Sequence, residues 1–297
     1  MNTGLLVDLM INGVIVGALY GVVAISFVLI YKSTKVLNFA QGEFLLIGAW
    51  VCWTLLVRWQ LPLFLAFPIC LVGMLAFGVL VQVALLRPLT GEPIISVIMA
   101  TIGLSIFLDA LTKLIFGATP QPFPDLLSET KIHIFGLRVA AAYVASLAAS
   151  LLIMAGFAVF FRYSRLGLAM RAASFDRQAA QSMGVSIQLV AAMAWAISAA
   201  VSAVAGITVG VVNGVSSGLA SFGIKVFPVV ILGGLDSIVG GAVGGLIIGL
   251  IENIVHYVDT QFLGWGGVHE TAPFYILVFV LMVFPYGLFG TRDIERV

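Results

Sequence analysis

Long apolar runs, separated by short polar or proline-containing breaks, occupy most of the chain, at 5–30, 39–57, 62–86, 94–117, 139–161, 189–212, 220–234, 238–255 and 272–289. Several charge-free windows, among them 66–86 and 140–161, reach the roughly 20 residues that a helix needs to cross a hydrocarbon core of about 30 Å. Lipid offers backbone N–H and C=O groups no partner, so only helices or closed barrels can span it. Barrel strands would alternate in polarity over segments of about ten residues, whereas these runs are continuous. The pattern predicts an all-α polytopic membrane protein with about nine transmembrane or broken helices in a single domain, 1–297. The runs at 220–234 and 238–255 are short and interrupted by glycine, so each is a candidate broken or re-entrant segment. The first run has only Asp8 as an early charge and no clear cleavage site, so it is expected to be a span rather than a removable leader.

Composition strengthens the membrane reading. Hydrophobic residues make up 62% of the 297 residues and charged residues 9%, against roughly 25% charged in a soluble domain, and the mean hydropathy is +1.18. The net charge of +1 gives no sign of a nucleic-acid partner. Cys52 and Cys70 lie in apolar runs and read as small buried hydrophobes. Orientation follows from the positive-inside rule. An outside N-terminus puts Lys32, Lys35, Arg87, Arg162, Arg165, Arg171, Arg177, Arg292 and Arg296 on the cytoplasmic side, nine of the 14 basic residues. Arg58, Lys113, Lys131, Arg138 and Lys225 fall outside. Eight spans would give an even split, so nine spans with the C-terminus inside fit better.

Two polar segments interrupt the runs. Residues 118–138 hold Pro120, Pro122, Pro124, Asp125, Glu129, Lys131 and His133, and are expected to form an external loop. Residues 162–188 form the largest cytoplasmic loop and carry four arginines. In it Ser174 is placed to N-cap a helix, Asp176 to favour its first turn, and Gly184 to end it. Phe175, Ala179 and Met183 recur every four residues and share one face. The result is a short amphipathic helix at 175–183, which needs a membrane surface or a partner to hold it.

Gln178-Ala179-Ala180, followed by Gly184, resembles the EAA-type signature of ABC importer permeases, with Gln in the place of the usual Glu and no Leu-Pro beyond. Arg165-Leu166-Gly167 and Met170-Arg171-Ala172 look more like the Liv-type branch, which covers branched-chain amino-acid permeases and relatives for urea, short amides and other acids. A second stretch, Leu37-Asn38-Phe39-Ala40-Gln41-Gly42-Glu43 after Gly17-Ala18-Leu19-Tyr20-Gly21, resembles the start of Liv-type permeases, and Ile231-Leu232-Gly233-Gly234 extends the resemblance late into the chain. The resemblance implies a permease subunit of a prokaryotic inner-membrane importer. Its implied partners are two cytosolic ATPases, a periplasmic solute-binding protein, and a second related permease in a homo- or heterodimer. ATP would be used by the partner subunits, with no cofactor in this chain. Arg165, Gly167, Arg171, Phe175, Asp176, Ala179, Ala180, Met183 and Gly184 would form the ATPase-coupling element.

Gly13, Gly17 and Gly21 repeat every four residues, as do Gly206, Gly210, Gly214 and Gly218, and Gly241, Gly245 and Gly249. That spacing lets neighbouring helices approach closely, and it suggests that the first, sixth and eighth spans are central. Asn213, Ser216 and Ser217, at the outer end of the second ladder, are candidates to line a pathway, as broken helices do in many transporters. Thr101 and Ser105 are further candidates. Asn38, Gln41 and Glu43 stand where the chain passes into an apolar run, and an acid there either caps the second span or faces a cavity.

Two rival readings attach to particular residues. Gly214-Val215-Ser216-Ser217-Gly218 fits G-x-S-x-G, with His256 and His269 downstream, as in an intramembrane serine protease. That motif carries chemistry only on a strand-to-helix elbow or beside a histidine at matching depth. Asp109 and Glu252 are the acids that a self-sufficient secondary transporter or channel would use for a coupling ion. The chain has no G-x-x-x-x-G-K-[ST] phosphate loop, and its scattered histidines and cysteines lack metal-ligand spacing.

Overall fold

A computed structural model describes residues 3–124, 131–134 and 137–290. The described chain is helical throughout, apart from one antiparallel hairpin of β1 (Lys131–Ile134) and β2 (Leu137–Ala140), in which Lys131 faces Ala140 and Ile134 faces Leu137. The hairpin lies in the stretch expected to be an external loop. Asp125 and Glu129, and Arg292 and Arg296 at the C-terminus, fall outside the described residues.

The helices are α1 (Thr3–Thr34), α2 (Gln41–Trp53), α3 (Leu63–Val81), α4 (Ile94–Phe116), α5 (Ala141–Tyr163), α6 (Arg165–Phe175), α7 (Arg177–Ser182), α8 (Ile187–Asn213), α9 (Leu219–Gly233), α10 (Ile238–Val258) and α11 (Val268–Val283). Among the described residues, six helical segments are long and apolar enough to cross a membrane: 8–34, 63–86, 94–116, 141–163, 187–213 and 238–263. Helices α9 and α11 are apolar but shorter. Proline punctuates the starts. Pro62 and Pro93 stand just before α3 and α4, where a missing N–H costs nothing. Helices α2, α3 and α10 each end in a π-helical turn, Thr54–Arg58, Gln82–Leu86 and Asp259–Leu263. The last carries the segment at 238–255 on to Leu263 without a break, longer than the glycine-interrupted pattern predicts.

The chain divides into two compact units, one of residues 1–28, 127–154 and 225–297 and the other of 29–126 and 155–224. In the first, α1 and α10 meet through their glycine ladders. A Cβ on Gly17 would come 2.9 Å from the Gly245 carbonyl oxygen and from the Leu246 Cα, and one on Gly249 would run into the Gly17 backbone. Such contacts are closer than any side chain allows, so the two ladders are one interface. Tyr20 donates to Glu252 at 2.9 Å, and Lys225 on α9 donates to the same carboxylate at 2.6 Å, a part-buried charge pair. Past α11 the chain turns back, and Leu288 and Phe289 donate their N–H groups to the Leu232 and Gly233 carbonyls at the end of α9.

In the second unit α8 is the hub. A side chain at Gly206 would strike the Leu45 backbone, one at Gly48 would strike Ala203, and one at Gly78 would strike Trp195 and Ala196, so α2 and α3 both lie directly on α8. Trp195 is fully buried and stands edge-on to Phe44, which stands edge-on to Phe77. The first and third ladders pair with each other, and the second receives α2. On α3 the buried residues Ala66, Cys70, Met74 and Gly78 repeat every four positions, while Phe64, Ile69, Val72 and Leu80 are exposed. On α4 only Thr101, Leu108 and Thr112 are buried, and Ile94, Ile95, Met99, Ile106, Phe107 and Leu114 are exposed. Lipid tails are a compatible solvent for such faces, and water is not. Cys52 and Cys70 are both buried and free, as expected for small hydrophobes, and the Cys70 thiol reaches the Gly48 carbonyl.

The glycine contacts predict a contrast between two substitutions. Gly245→Val should destabilise the protein by about 1–3 kcal/mol through overpacking, while Gly73→Val, with no atom within 4 Å of its Cβ position, should be nearly neutral. Thermal unfolding in detergent, followed by Trp fluorescence, checks both.

Candidate functional site

Three groups of residues hold the chemistry that the sequence singled out. The first is the elbow formed by α6 and α7. Ser164 caps α6 by accepting from the Gly167 N–H at 2.8 Å. Gly167 lies so close to the Phe161 carbonyl that no side chain fits. Arg171 donates to that carbonyl and lies over the Phe161 ring at 5.6 Å. These contacts clamp α6 to the end of α5. Asp176 then breaks the helix with extended backbone, φ −149° and ψ 112°, and its carboxylate accepts from the Gln178 and Ala179 N–H groups at 2.8 and 3.0 Å to start α7.

The N-cap is therefore Asp176 rather than Ser174, which lies inside α6. A carboxylate also complements the positive end of the helix. The expected helix at 175–183 shortens to Arg177–Ser182, and Phe175 belongs to the helix before it. Gly184, at φ +85°, ends α7 in the way expected of it: its N–H bonds the Gln181 carbonyl and the Val185 N–H bonds the Ala180 carbonyl. That pair of bonds is a Schellman motif, and the left-handed residue within it favours glycine. Ala180 packs inward, and Arg177 donates to the Thr34 carbonyl at the end of α1 at 2.5 Å. Phe175 is 97% exposed, Met183 is 85% exposed, and Ala179 is exposed beside them.

The second group surrounds the start of α2. Asn38 caps its turn by accepting from the Ala40 N–H, and its amide donates to Gln41 at 2.9 Å. Gln41 in turn donates to Ser202 at 2.5 Å and Ser198 at 3.3 Å on α8. All four are fully buried, and Asn38 and Gln41 join α2 to α8. Ser198 and Ser202 were not singled out by the sequence. Their signal is two serines four residues apart on an apolar helix. Glu43, in the first turn of α2, is buried. One carboxylate oxygen lies 3.5 Å from the Ser105 hydroxyl, and the other has no hydrogen-bond partner. Thr101 donates to the Leu37 carbonyl at 3.0 Å. The Lys35 ammonium lies over the Tyr31 ring.

The third group is the break between α8 and α9. Gly214 takes φ +76°, and Val215 forms a two-bond bridge with Gln121, at 2.8 and 2.9 Å. Trp53 donates to the neighbouring Pro122 carbonyl, and Phe123 packs near Gly210. Asn213 is exposed at the last position of α8, and Ser216 and Ser217 form the turn that opens α9.

The chain matches, over residues 9–285, the family described as the branched-chain amino acid transport system permease component. It belongs to that family. Among its relatives is the high-affinity branched-chain amino acid transport system permease protein LivH of Escherichia coli K12, 30% identical, with 97% of this chain and 96% of the relative covered. The BraD permease protein of Pseudomonas aeruginosa is likewise 30% identical, with 97% of each covered. Among solved structures, PsaBC from Streptococcus pneumoniae in complex with Fab shares the fold at a TM-score of 0.50 and 13% identity, covering 93% of this chain and 91% of that one.

Membership of the permease family makes this chain a component of a transport system rather than a catalytic enzyme, and the geometry agrees. In this permease G-x-S-x-G lies on a helix break pinned by a β-bridge, not on a strand-to-helix elbow. His256 stacks edge-on with His269 at 4.3 Å. The acids of the secondary-transporter reading already have lysine partners, Asp109 with Lys113 and Glu252 with Lys225, each at 2.6 Å. Among the described residues no cluster of three His, Cys, Asp or Glu could hold a metal ion.

Ser202→Ala should leave the buried Gln41 amide short of a partner and cost about 1–3 kcal/mol, more than Ser198→Ala, whose bond is the longer of the two. Denaturation midpoints of the two variants in the same detergent check the order.

Proposed function

We propose that this permease is the membrane-spanning subunit of an ABC importer that moves branched-chain amino acids, or similar small polar solutes, across the inner membrane of a prokaryote. It pairs with a second related permease. Two cytosolic ATPases supply the drive and use the ATP, and a periplasmic binding protein delivers the solute. The helices make nine crossings, with the N-terminus outside and the C-terminus inside. That orientation puts Arg162, Arg165, Arg171 and Arg177 on the cytoplasmic side, where basic residues accumulate.

The observation that carries the reading is the α6–α7 elbow. It is capped at both ends and clamped at its base, yet it presents Phe175 and Met183 almost wholly to solvent. A six-residue helix gains too little from its own hydrogen bonds to persist alone. Exposed apolar side chains on so rigid a mount suit a partner cleft. Closure of the ATPases on ATP would push this mount and rock the helices between two states. The solute class is taken from the relatives' names and from the family. Asn38, Gln41, Glu43, Thr101, Ser105, Asn213, Ser216 and Ser217 are the pathway candidates, with the unpaired oxygen of Glu43 suited to a solute ammonium group.

Gly184→Asp replaces the left-handed residue with one that has a side chain, and should abolish uptake while leaving the protein in the membrane. Membrane fractionation with radiolabelled leucine uptake tests this; normal uptake would sink the docking role. Pull-down of tagged protein from native membranes should recover ATPase subunits with the wild type and lose them with Gly184→Asp.

A further inference from the structure

A cavity of about 310 Å³ lies in the 29–126 and 155–224 unit, walled by the link between α1 and α2, the turn between α3 and α4, the first turns of α4 and α8, and Arg177 of the elbow. Its volume is near the lower end of the roughly 300–1,000 Å³ typical of small-molecule sites. Much of the wall is aliphatic, with Val36, Leu86, Val97, Ile98 and Ile187 beside Trp195. Charges of both signs stand in the same wall: Lys35 and Arg177 are cationic and Glu92 is anionic. Ser33 also lines it. That residue is 2% exposed, and its hydroxyl oxygen is buried without a hydrogen-bond partner.

We infer that this cavity is a cytosol-side binding site for a free aliphatic amino acid, and that its occupancy slows the transport cycle. An aliphatic wall with an anion and two cations matches a zwitterion carrying a short hydrocarbon chain. The carboxylate goes to Arg177 and Lys35, the ammonium to Glu92, and the side chain to Val97 and Ile98. A guanidinium has five N–H donors. Arg177 can therefore keep its bond to the Thr34 carbonyl while its other donors take a carboxylate. The solute would tie α7 to the α1–α2 link. A ligand that binds one arrangement better than another shifts the population toward it, so solute accumulating in the cytosol would hold the elbow still and limit its own uptake. The inference rests on the proposed function for the side of the membrane and for the role of α7.

The test uses permease isolated from its native membranes with its partners, without binding protein, in lipid nanodiscs. Equilibrium dialysis with radiolabelled leucine should show a saturable component that Ile98→Trp removes by filling the cavity. Glu92→Gln, an exposed turn residue, should weaken leucine roughly tenfold or more through the lost charge-assisted bond. It should leave 4-methylpentanoate, which has no ammonium group, bound as by the wild type. ATPase activity should fall as leucine rises in the wild type and stay level in Ile98→Trp. No saturable component, or one indifferent to both substitutions, overturns the inference, as does an ATPase rate insensitive to leucine in the wild type. The dialysis does not depend on the ATPases. Absent ATPase recruitment would count against the docking role alone, whereas intact recruitment without the leucine site would count against the cavity alone.

Discussion

Helices surrounded by lipid gain little by hiding apolar side chains from one another, because the solvent is as apolar as they are. What remains is close packing, and its closeness is set by the smallest residue at the crossing. Each compact unit depends on that constraint. In one, Gly17 of α1 and Gly245 and Gly249 of α10 bring two backbones to near contact; in the other, Gly206, Gly48 and Gly78 do the same for α8 with α2 and with α3. The polar bonds lie along these seams. Tyr20 and Glu252 meet where α1 and α10 touch, and Gln41 meets Ser198 and Ser202 where α2 and α8 touch. Without the glycines, the donors and acceptors would stand too far apart to meet.

The elbow follows a different rule. It has few apolar contacts to hold it, so its shape comes from backbone hydrogen bonds closed by side chains at each end. Ser164 and Asp176 start the two helices, Gly184 ends the second, and Arg171 and Arg177 fasten the assembly to the ends of α5 and α1. Its outward residues are free to be chosen for a partner, because none is needed for its own packing.

The residues differ in how much they disclose before the fold is known. Four-residue glycine spacing identifies packing faces directly, and apolar runs place the earlier long helices to within a few residues, though the run at 238–255 stops eight residues short of Leu263. Which ladder meets which is a matter of tertiary arrangement, and nothing in Gly13–Gly21 points to Gly241–Gly249 rather than to Gly206–Gly218. Ser198 and Ser202 are silent for a related reason: a serine in an apolar helix commonly bonds its own backbone, as Ser146 and Ser150 do here. Only the arrival of Gln41 gives the pair a role. Asp176 and Ser174 are both good helix starters, and choosing between them depends on where α6 stops. Arg165–Phe175 lacks the apolar runs that revealed the long helices, and so read as loop.

The bond between Lys225 and Glu252 bears on how the chain is made. Helix α9 has 15 residues, with Pro228 inside it and Lys225 near its middle, a poor candidate to leave the translocation machinery for lipid unaided. A lone ammonium in hydrocarbon costs several kcal/mol at least. The neutralising carboxylate lies 27 residues later, on a helix not yet synthesised when α9 emerges. Helix α9 is then expected to wait in a polar setting until α10 follows, and the two to partition together. Tyr20, among the first residues to reach the bilayer, would find its acceptor only near the end of synthesis. The order of the genetic message and the order of assembly thus differ, and the last third of the polypeptide completes what the first helix began.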